Sequence, residues 1–252
     1  MGADGPPRGH RLSHPAGPRR RARPCADGGL VRSRGTRKTF HRLRAGATAG
    51  GTMRKPSPGE VEAAVRTLIA HAGDDPDRPE LRDTPQRVAA AHAVAFSGYG
   101  RDPAAVLGEP LPAGDAEGQL VLLRALPFFS HCEHHLSPFF GEATVAFEAG
   151  ERILGIGHLA DLVTVLSRRL QLQERLTEEI AAALRQVLAP RGLAVLLEAT
   201  HCCRHLHDGR SIPGRLRTLR VEGSLEARPG LLAALLGDRA PPAAPSLQSG
   251  SV

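Results

Sequence analysis

Residues 119–149 read QLVLLRALPFFSHCEHHLSPFFGEATVAFEA, and the reading of this stretch decides the fold. Two apolar runs, QLVLLRALPFF and FFGEATVAFEA, flank a short polar insert crowded with histidine. Their Val, Phe and Leu residues suit a pleated backbone, and a polar break of this length suits the connection between paired strands. The stretch therefore predicts two strands whose connection carries Cys132, Glu133, His134 and His135. GLAVLLEATHCC (192–203) and RLRTLRVEGSL (215–225) predict a third and a fourth strand.

Helical patterns surround these strands. GEVEAAVRTLIAHA (59–72) places Val61, Val65, Leu68 and Ile69 on one face. LRDTPQRVAAAHAVAFSGYG (81–100) carries its own punctuation: Asp83 or Thr84 as cap, Pro85 in the first turn, and Gly98 as the stop. A connector rich in Pro and Gly follows over 101–118. Residues 158–188 form the longest helical pattern, with Leu159, Leu162, Val163, Leu166, Leu170, Leu176, Ile180, Leu184 and Val187 on one face. The order predicts an α+β domain in which helices cover an antiparallel sheet.

Composition places boundaries around that domain. The chain of 252 residues carries a net charge of +7. Residues 1–52 hold twelve Lys or Arg against Asp4 and Asp27, a local net of +10, so the remainder carries −3. The basic character thus belongs to a leading Arg/Pro/Gly-rich segment, expected to be disordered because it has too little apolar surface to offset its ordering entropy. An alternative places the natural start at Met53, just before the first helical pattern. The expected organisation is a tail over 1–52, a catalytic domain over 53–237 and a C-terminal tail over 238–252. Within the domain, 59–98 is the helical part and 118–237 the sheet-bearing core. With Phe40 its only aromatic residue and no recognisable module, the leading segment carries no expectation of nucleic-acid binding. No run of eighteen apolar residues exists, so no membrane span is expected. Three cysteines in the body, two of them adjacent, fit metal binding or free thiols better than a disulfide framework.

Cys132 and His135 stand in C-x-x-H spacing, which lets two soft ligands converge on one ion from a tight turn. A third ligand is offered by THCC. Strand alternation puts Val195, Leu197, Ala199, His201 and Cys203 on one face, and Glu198, Thr200 and Cys202 on the other. If the apolar face is the covered one, Cys203 joins Cys132 and His135. Three protein ligands with an open fourth position describe a catalytic zinc. The competing reading is a buried thiol beside a polar loop. His134 and His201 flank these ligands and titrate near neutral pH, so either could move protons; each alone is also a common structural histidine. Glu174 sits in QLQERL near the edge of the apolar stripe, where a carboxylate could accept two N–H bonds from an amide-like edge or simply face solvent.

Taken together, DTPQRVA, HCEHHLSPFFGEATVAF, RRLQLQERLTEEIAAAL and EATHCC resemble the GTP cyclohydrolase I family, in the family's order and over roughly residues 59–237. The resemblance implies a tunnelling fold, with antiparallel sheets that join across subunits into a barrel and helices outside, in a cytoplasmic homodecamer. It implies zinc on Cys132, His135 and Cys203, and hydrolytic opening of the guanine imidazole ring of GTP assisted by His134 and His201. Formate leaves and the ribose rearranges to 7,8-dihydroneopterin triphosphate, the first step of pterin and tetrahydrofolate biosynthesis. By the same carry-over Gln173 and Glu174 grip the guanine edge, and Arg87 reaches the triphosphate from a neighbouring subunit. This chain departs from the family where a serine, a lysine and an arginine are usual, with Gly157, His158 and Asp161 instead. It departs again after the third ligand, with Leu206, His207, Asp208 and Gly209, and at RLRTLRVEGSL. Arg204, Arg210, Arg215 and Arg217 are candidates to compensate the lost charge. The alternatives are a diverged paralog acting on another purine nucleotide, and a non-catalytic zinc-binding member.

Overall fold

The computed structural model describes residues 54–206 and 214–237. The expectations for both tails, and for His207, Asp208, Gly209 and Arg210, lie outside the described residues. Helix α1 (Pro58–His71) opens on a capping box: the Ser57 hydroxyl accepts from the Glu60 amide, and the Glu60 carboxylate accepts from the Ser57 amide at 2.8 Å. Helix α2 (Thr84–Ala95) begins after Asp83, with Pro85 buried in its first turn. The connector holds more order than its composition suggests. It contains α3 (Pro103–Leu107), strand β1 (Leu111–Pro112) and a 3-10 turn (Gly114–Ala116), and Leu107 is fully buried.

The sheet strands follow as β2 (Leu120–Cys132) and β3 (Pro138–Glu148); β4 (Arg152–Ile153) pairs with β1 to form a small separate ribbon. Then come α4 (Ile156–Ser167), β5 (Leu170–Gln171), α5 (Gln173–Leu188), β6 (Gly192–His201), the short α6 (Cys203–Leu206), β7 (Leu216–Gly223) and α7 (Pro229–Leu236). Strand order in the main sheet is β5-β2-β3-β6-β7, antiparallel except for the parallel β2–β5 pair. The four long strands are those expected from the sequence, and the α+β class is as expected.

One face of the sheet is dry. Ala143, Val145 and Phe147 of β3 lie across from Leu197, Val195 and Leu193 of β6, and all six are at most 1% exposed. They share one apolar cluster with Leu159, Leu162 and Leu166 of α4 and Leu176, Ile180 and Leu184 of α5. The opposite face is polar at its middle, where Glu142 lies across from Glu198. At one end it is closed by a second cluster of Ala146, Ala194 and Leu225, with Leu231 and Leu232 of α7 against it.

The expected continuous helix over 158–188 is divided. After Ser167 the chain extends, and Leu170–Gln171 pairs in parallel with His131–Cys132. The Tyr99 hydroxyl accepts from the Leu170 amide at 3.1 Å, and the Gln171 carbonyl accepts from the Glu133 amide at 3.2 Å. These bonds replace helical ones, so the backbone is satisfied in extended form. Apolar spacing hides the break because Leu162, Leu166 and Leu170 are spaced by four before it, and Leu176, Ile180 and Leu184 resume the same spacing after it. Among the described residues no helix is long and apolar enough to cross a membrane.

Gly98 marks a close approach rather than a simple stop. Its amide donates to the Arg168 carbonyl at 3.0 Å, and a Cβ there would overlap the Val165 and Arg168 carbonyls. Gly98→Ala should therefore destabilise by about 1–3 kcal/mol through overpacking. Gly59, in the first turn of α1, has open space around its Cβ position. Gly59→Ala should instead be neutral or gain about 0.5–1 kcal/mol. Urea unfolding of the two variants checks the contrast; equal midpoints would contradict it.

Candidate metal centre

The centre is built where three strand ends meet. Alternation along β2 carries Phe128, Ser130 and Cys132 onto the helix-covered face, and Cys132 is 6% exposed within the main cluster. The turn after it is tight: the Cys132 amide donates to the Ser137 carbonyl at 2.8 Å, and the Leu136 amide donates to the Cys132 carbonyl at 2.9 Å. Closing it puts Leu136 at φ +54°, a left-handed conformation unusual for a leucine. The result swings His135 back, so that its Nδ1 lies 3.9 Å from Cys132 Sγ.

Cys203 arrives by a different route from the one strand alternation anticipates. β6 ends at His201, the Cys202 amide donates to the Pro138 carbonyl at 3.0 Å, and Cys203 opens the helical turn α6. Val195, Leu197 and Ala199 are buried on the covered face, and Cys203 still packs against that cluster. The Sγ of Cys132, a ring nitrogen of His135 and the Sγ of Cys203 all lie within 4.8 Å of one another. All three body cysteines are free thiols. Burial, together with the neighbouring Cys132, pushes the Cys203 thiol up. A cation between the two sulfurs would reverse that preference, because it favours thiolate. Two sulfurs and one imidazole form a donor set suited to zinc.

His201 lies at the end of β6 with its ring stacked on Phe139, centroids 4.6 Å apart. Its Nε2 is 2.8 Å from Gln173 Oε1. The amide orientation of Gln173 is fixed by its other partners. Nε2 of Gln173 donates to the Leu197 carbonyl at 3.1 Å and the Leu216 carbonyl at 3.0 Å, and it meets Thr218 Oγ1 at 3.1 Å. Carbonyl oxygens only accept, so Oε1 must face the histidine, and His201 Nε2 must be the donor. Burial pushes this imidazole below its ordinary value, with Arg204 adding to the effect and Glu174 opposing it. A neutral His201 protonated on Nε2 leaves Nδ1 as a lone-pair acceptor.

The remaining expected residues fall in distinct places. Gln173 is 1% exposed, and Glu174 is exposed in the first turn of α5 rather than in mid-helix. His134 is exposed on the turn, its ring edge-on to His135. Arg87 is exposed on α2, 4.0 Å from Asp83 of the same segment. His158 turns back to α3, its Nδ1 3.2 Å from the Val106 carbonyl, while Asp161 is exposed on α4. Arg215 and Arg217 both pair with Glu198, at 3.3 and 3.0 Å. Sequence reasoning passed over Arg175, which grips Glu133 through two bonds of 2.6 and 2.7 Å. Its signal lies in QLQERL, where Arg175 directly follows Glu174. His131 points away from the centre, against Phe96 and Phe129.

An α+β fold that gathers a Cys–His–Cys set at the end of an antiparallel sheet defines a narrow class of candidate metalloproteins. The sequence model of GTP cyclohydrolase I matches residues 61–236, and the chain belongs to that family. Proteins named GTP cyclohydrolase 1 from Brucella canis and from Brucella abortus are 42% identical to it over 171 residues, spanning 68% of this chain and 76% of theirs. Among solved structures, the apo archaeosine synthase QueF-Like is similar at a TM-score of 0.35 and 17% identity, covering 42% of this chain and 94% of that one.

Replacing Gln173 by leucine would remove a donor from the Leu197 and Leu216 carbonyls and leave the His201 Nε2–H without its acceptor. Each buried group left unpaired costs about 1–3 kcal/mol, so Gln173→Leu should lower stability measurably in urea. Nitrogen-15 NMR of His201 should then lose its single Nε2–H form. Retention of both stability and tautomer would refute the network assignment.

Proposed function

We propose that this chain is a zinc-dependent GTP cyclohydrolase. It opens the imidazole ring of GTP by hydrolysis, releases formate and yields 7,8-dihydroneopterin triphosphate, which would place it at the entry to pterin and tetrahydrofolate synthesis. The carrying observation is the convergence of Cys132, His135 and Cys203 with His201 at one end of the sheet. Zinc bound there supplies a Lewis acid that brings the ionisation of water to about pH 7.

The chain's own residues then divide the work. His201, with Nε2–H committed to Gln173, offers Nδ1 to accept and return a proton. His134, exposed beside His135, is the second proton carrier. Glu174 presents an exposed carboxylate at the N-terminal turn of α5, suited to two N–H donors on a guanine edge. Gln173 shares in guanine recognition by holding His201 and the turn that presents Glu174 in place. Arg87, exposed on α2 with a long 4.0 Å contact to Asp83, reaches the triphosphate bound by a neighbouring copy, in keeping with a homodecamer in the cytoplasm.

A second reading has its own support. His158 is turned to the Val106 carbonyl, Asp161 is exposed, and Arg215 and Arg217 are matched by Glu198. Each charge-assisted phosphate contact is worth about 1.5–3 kcal/mol, so these arrangements favour a purine substrate with fewer phosphates.

Incubation of the zinc-loaded chain with GTP and with guanosine, followed by formate release and pterin fluorescence, separates the readings. Turnover of GTP is expected; preference for guanosine would support the second reading, and turnover of neither would favour a non-catalytic zinc-binding member. Cys203→Ala should abolish zinc retention and activity, whereas Cys202→Ala should preserve both. The reverse result would overturn the ligand assignment.

A further inference from the structure

The metal-ligating turn needs an outside hold. Residues 133–135 make no regular strand or helix, Leu136 is left-handed and 59% exposed, and His135 is exposed. A ligand on such a turn is well placed only if something fixes the turn against the rigid scaffold. Two contacts do so, and both come from one short segment. The Glu133 amide donates to the Gln171 carbonyl, and the Glu133 carboxylate receives two guanidinium bonds from Arg175. That same segment holds the other side of the centre, since Gln173 binds His201 and the Leu197 carbonyl.

We propose that Arg175 is a positioning residue for the metal centre: its two-pronged bond to Glu133 locks the turn carrying His134 and His135 onto the first turn of α5. The parallel N–H donors of a guanidinium fit both oxygens of a carboxylate, which fixes orientation as well as distance. A partly exposed ion pair contributes little to global stability, so the pair's consequence is geometric. Arg175 holds the Glu133 carboxyl below its usual range, and Glu179 and Tyr99 also face the guanidinium. Gln171 continues the chain of contacts, its amide donating to Glu179 at 2.8 Å and to the Leu166 carbonyl at 3.1 Å. One segment thereby couples the two ligand-bearing parts of the chain.

The inference rests on the metal reading of the site, and zinc affinity tests it without reference to turnover. The full chain is titrated with zinc against a chromophoric chelator, and amide exchange of Leu136 is followed in the metal-free protein. Partners beyond the ligands typically govern metal affinity by about 10–100-fold, so Arg175→Ala and Glu133→Ala should each weaken zinc binding to that extent. They should also accelerate exchange at Leu136. The double variant should be no worse than either single one, and the reversed pair Glu133→Arg/Arg175→Glu should recover most of the loss. Arg175→Lys keeps the charge without the fork and should fall between. Arg185→Ala, which removes a surface ion pair with Glu222 from the same helix, is the control and should leave zinc affinity unchanged. Wild-type affinity in Arg175→Ala, or equal loss in Arg185→Ala, overturns the positioning role alone. Failure of the wild-type chain to take up zinc overturns both this role and the metal reading beneath it.

Discussion

The parallel pairing of Leu170–Gln171 with His131–Cys132 is the constraint on which the rest depends. It interrupts what apolar spacing would make one long helix, and it aims the N-terminus of α5 at the end of β2. From there Gln173 reaches the carbonyls of β6 and the start of β7, and Arg175 reaches Glu133. Had the helix run on, these side chains would be spread around a continuous surface. Two residues of extended backbone convert a covering helix into a bracket for the site.

The cost of that bracket is met by polar pairing. Gln173 and Thr177 are buried on the inner side of α5, where unpaired groups would be expensive. Thr177 donates to the Gln173 carbonyl at 2.8 Å and meets Thr218 Oγ1 at 2.6 Å. If Thr218 donates to Thr177, its oxygen shares the two Gln173 N–H groups with the Leu197 and Leu216 carbonyls, and every member has a partner. A fully satisfied network specifies one arrangement of its members, which a purely apolar contact would not. For His201, whose Nε2–H is held by Gln173, that specificity fixes which nitrogen carries the proton.

Much of this was legible in the sequence. The four long strands follow from alternation and turn signals, and Cys132 with His135 follows from spacing. Cys203 followed from alternation even though β6 stops two residues before it. The reason is that the covered face continues into the first turn of α6, so the side of the sheet was right while the element was not. The division of the long helix was illegible because its cause is a hydrogen-bonding edge 39 residues earlier, visible to no local pattern. Gln173 stands out in the sequence only through resemblance. Its burial depends on three acceptors from strands that follow it in the chain. Arg175 was missed for a related reason, since a surface arginine on a helix reads as solvated until its partner on a turn 42 residues away is placed beside it.

The same pairing logic bears on what the site can recognise. Along α5 and β7 the cations are already matched: Arg175 with Glu133, Arg185 and Arg220 with Glu222, and Arg215 and Arg217 with Glu198. A phosphate competing for one of these guanidiniums must displace a carboxylate and leave it without its partner. The net gain is then smaller than a fresh charge-assisted bond would give. Arg204 stands differently, close enough to His201 to depress its proton affinity and set at the opening turn of α6. Under the proposed function, positive charge for a phosphate therefore comes more readily from Arg204, and from Arg87 with its long 4.0 Å contact to Asp83, than from the arginines paired with Glu198 and Glu222. Under that proposed function, recognition of the base rests on groups this chain fixes internally, whereas recognition of the phosphates is left to groups at its margin.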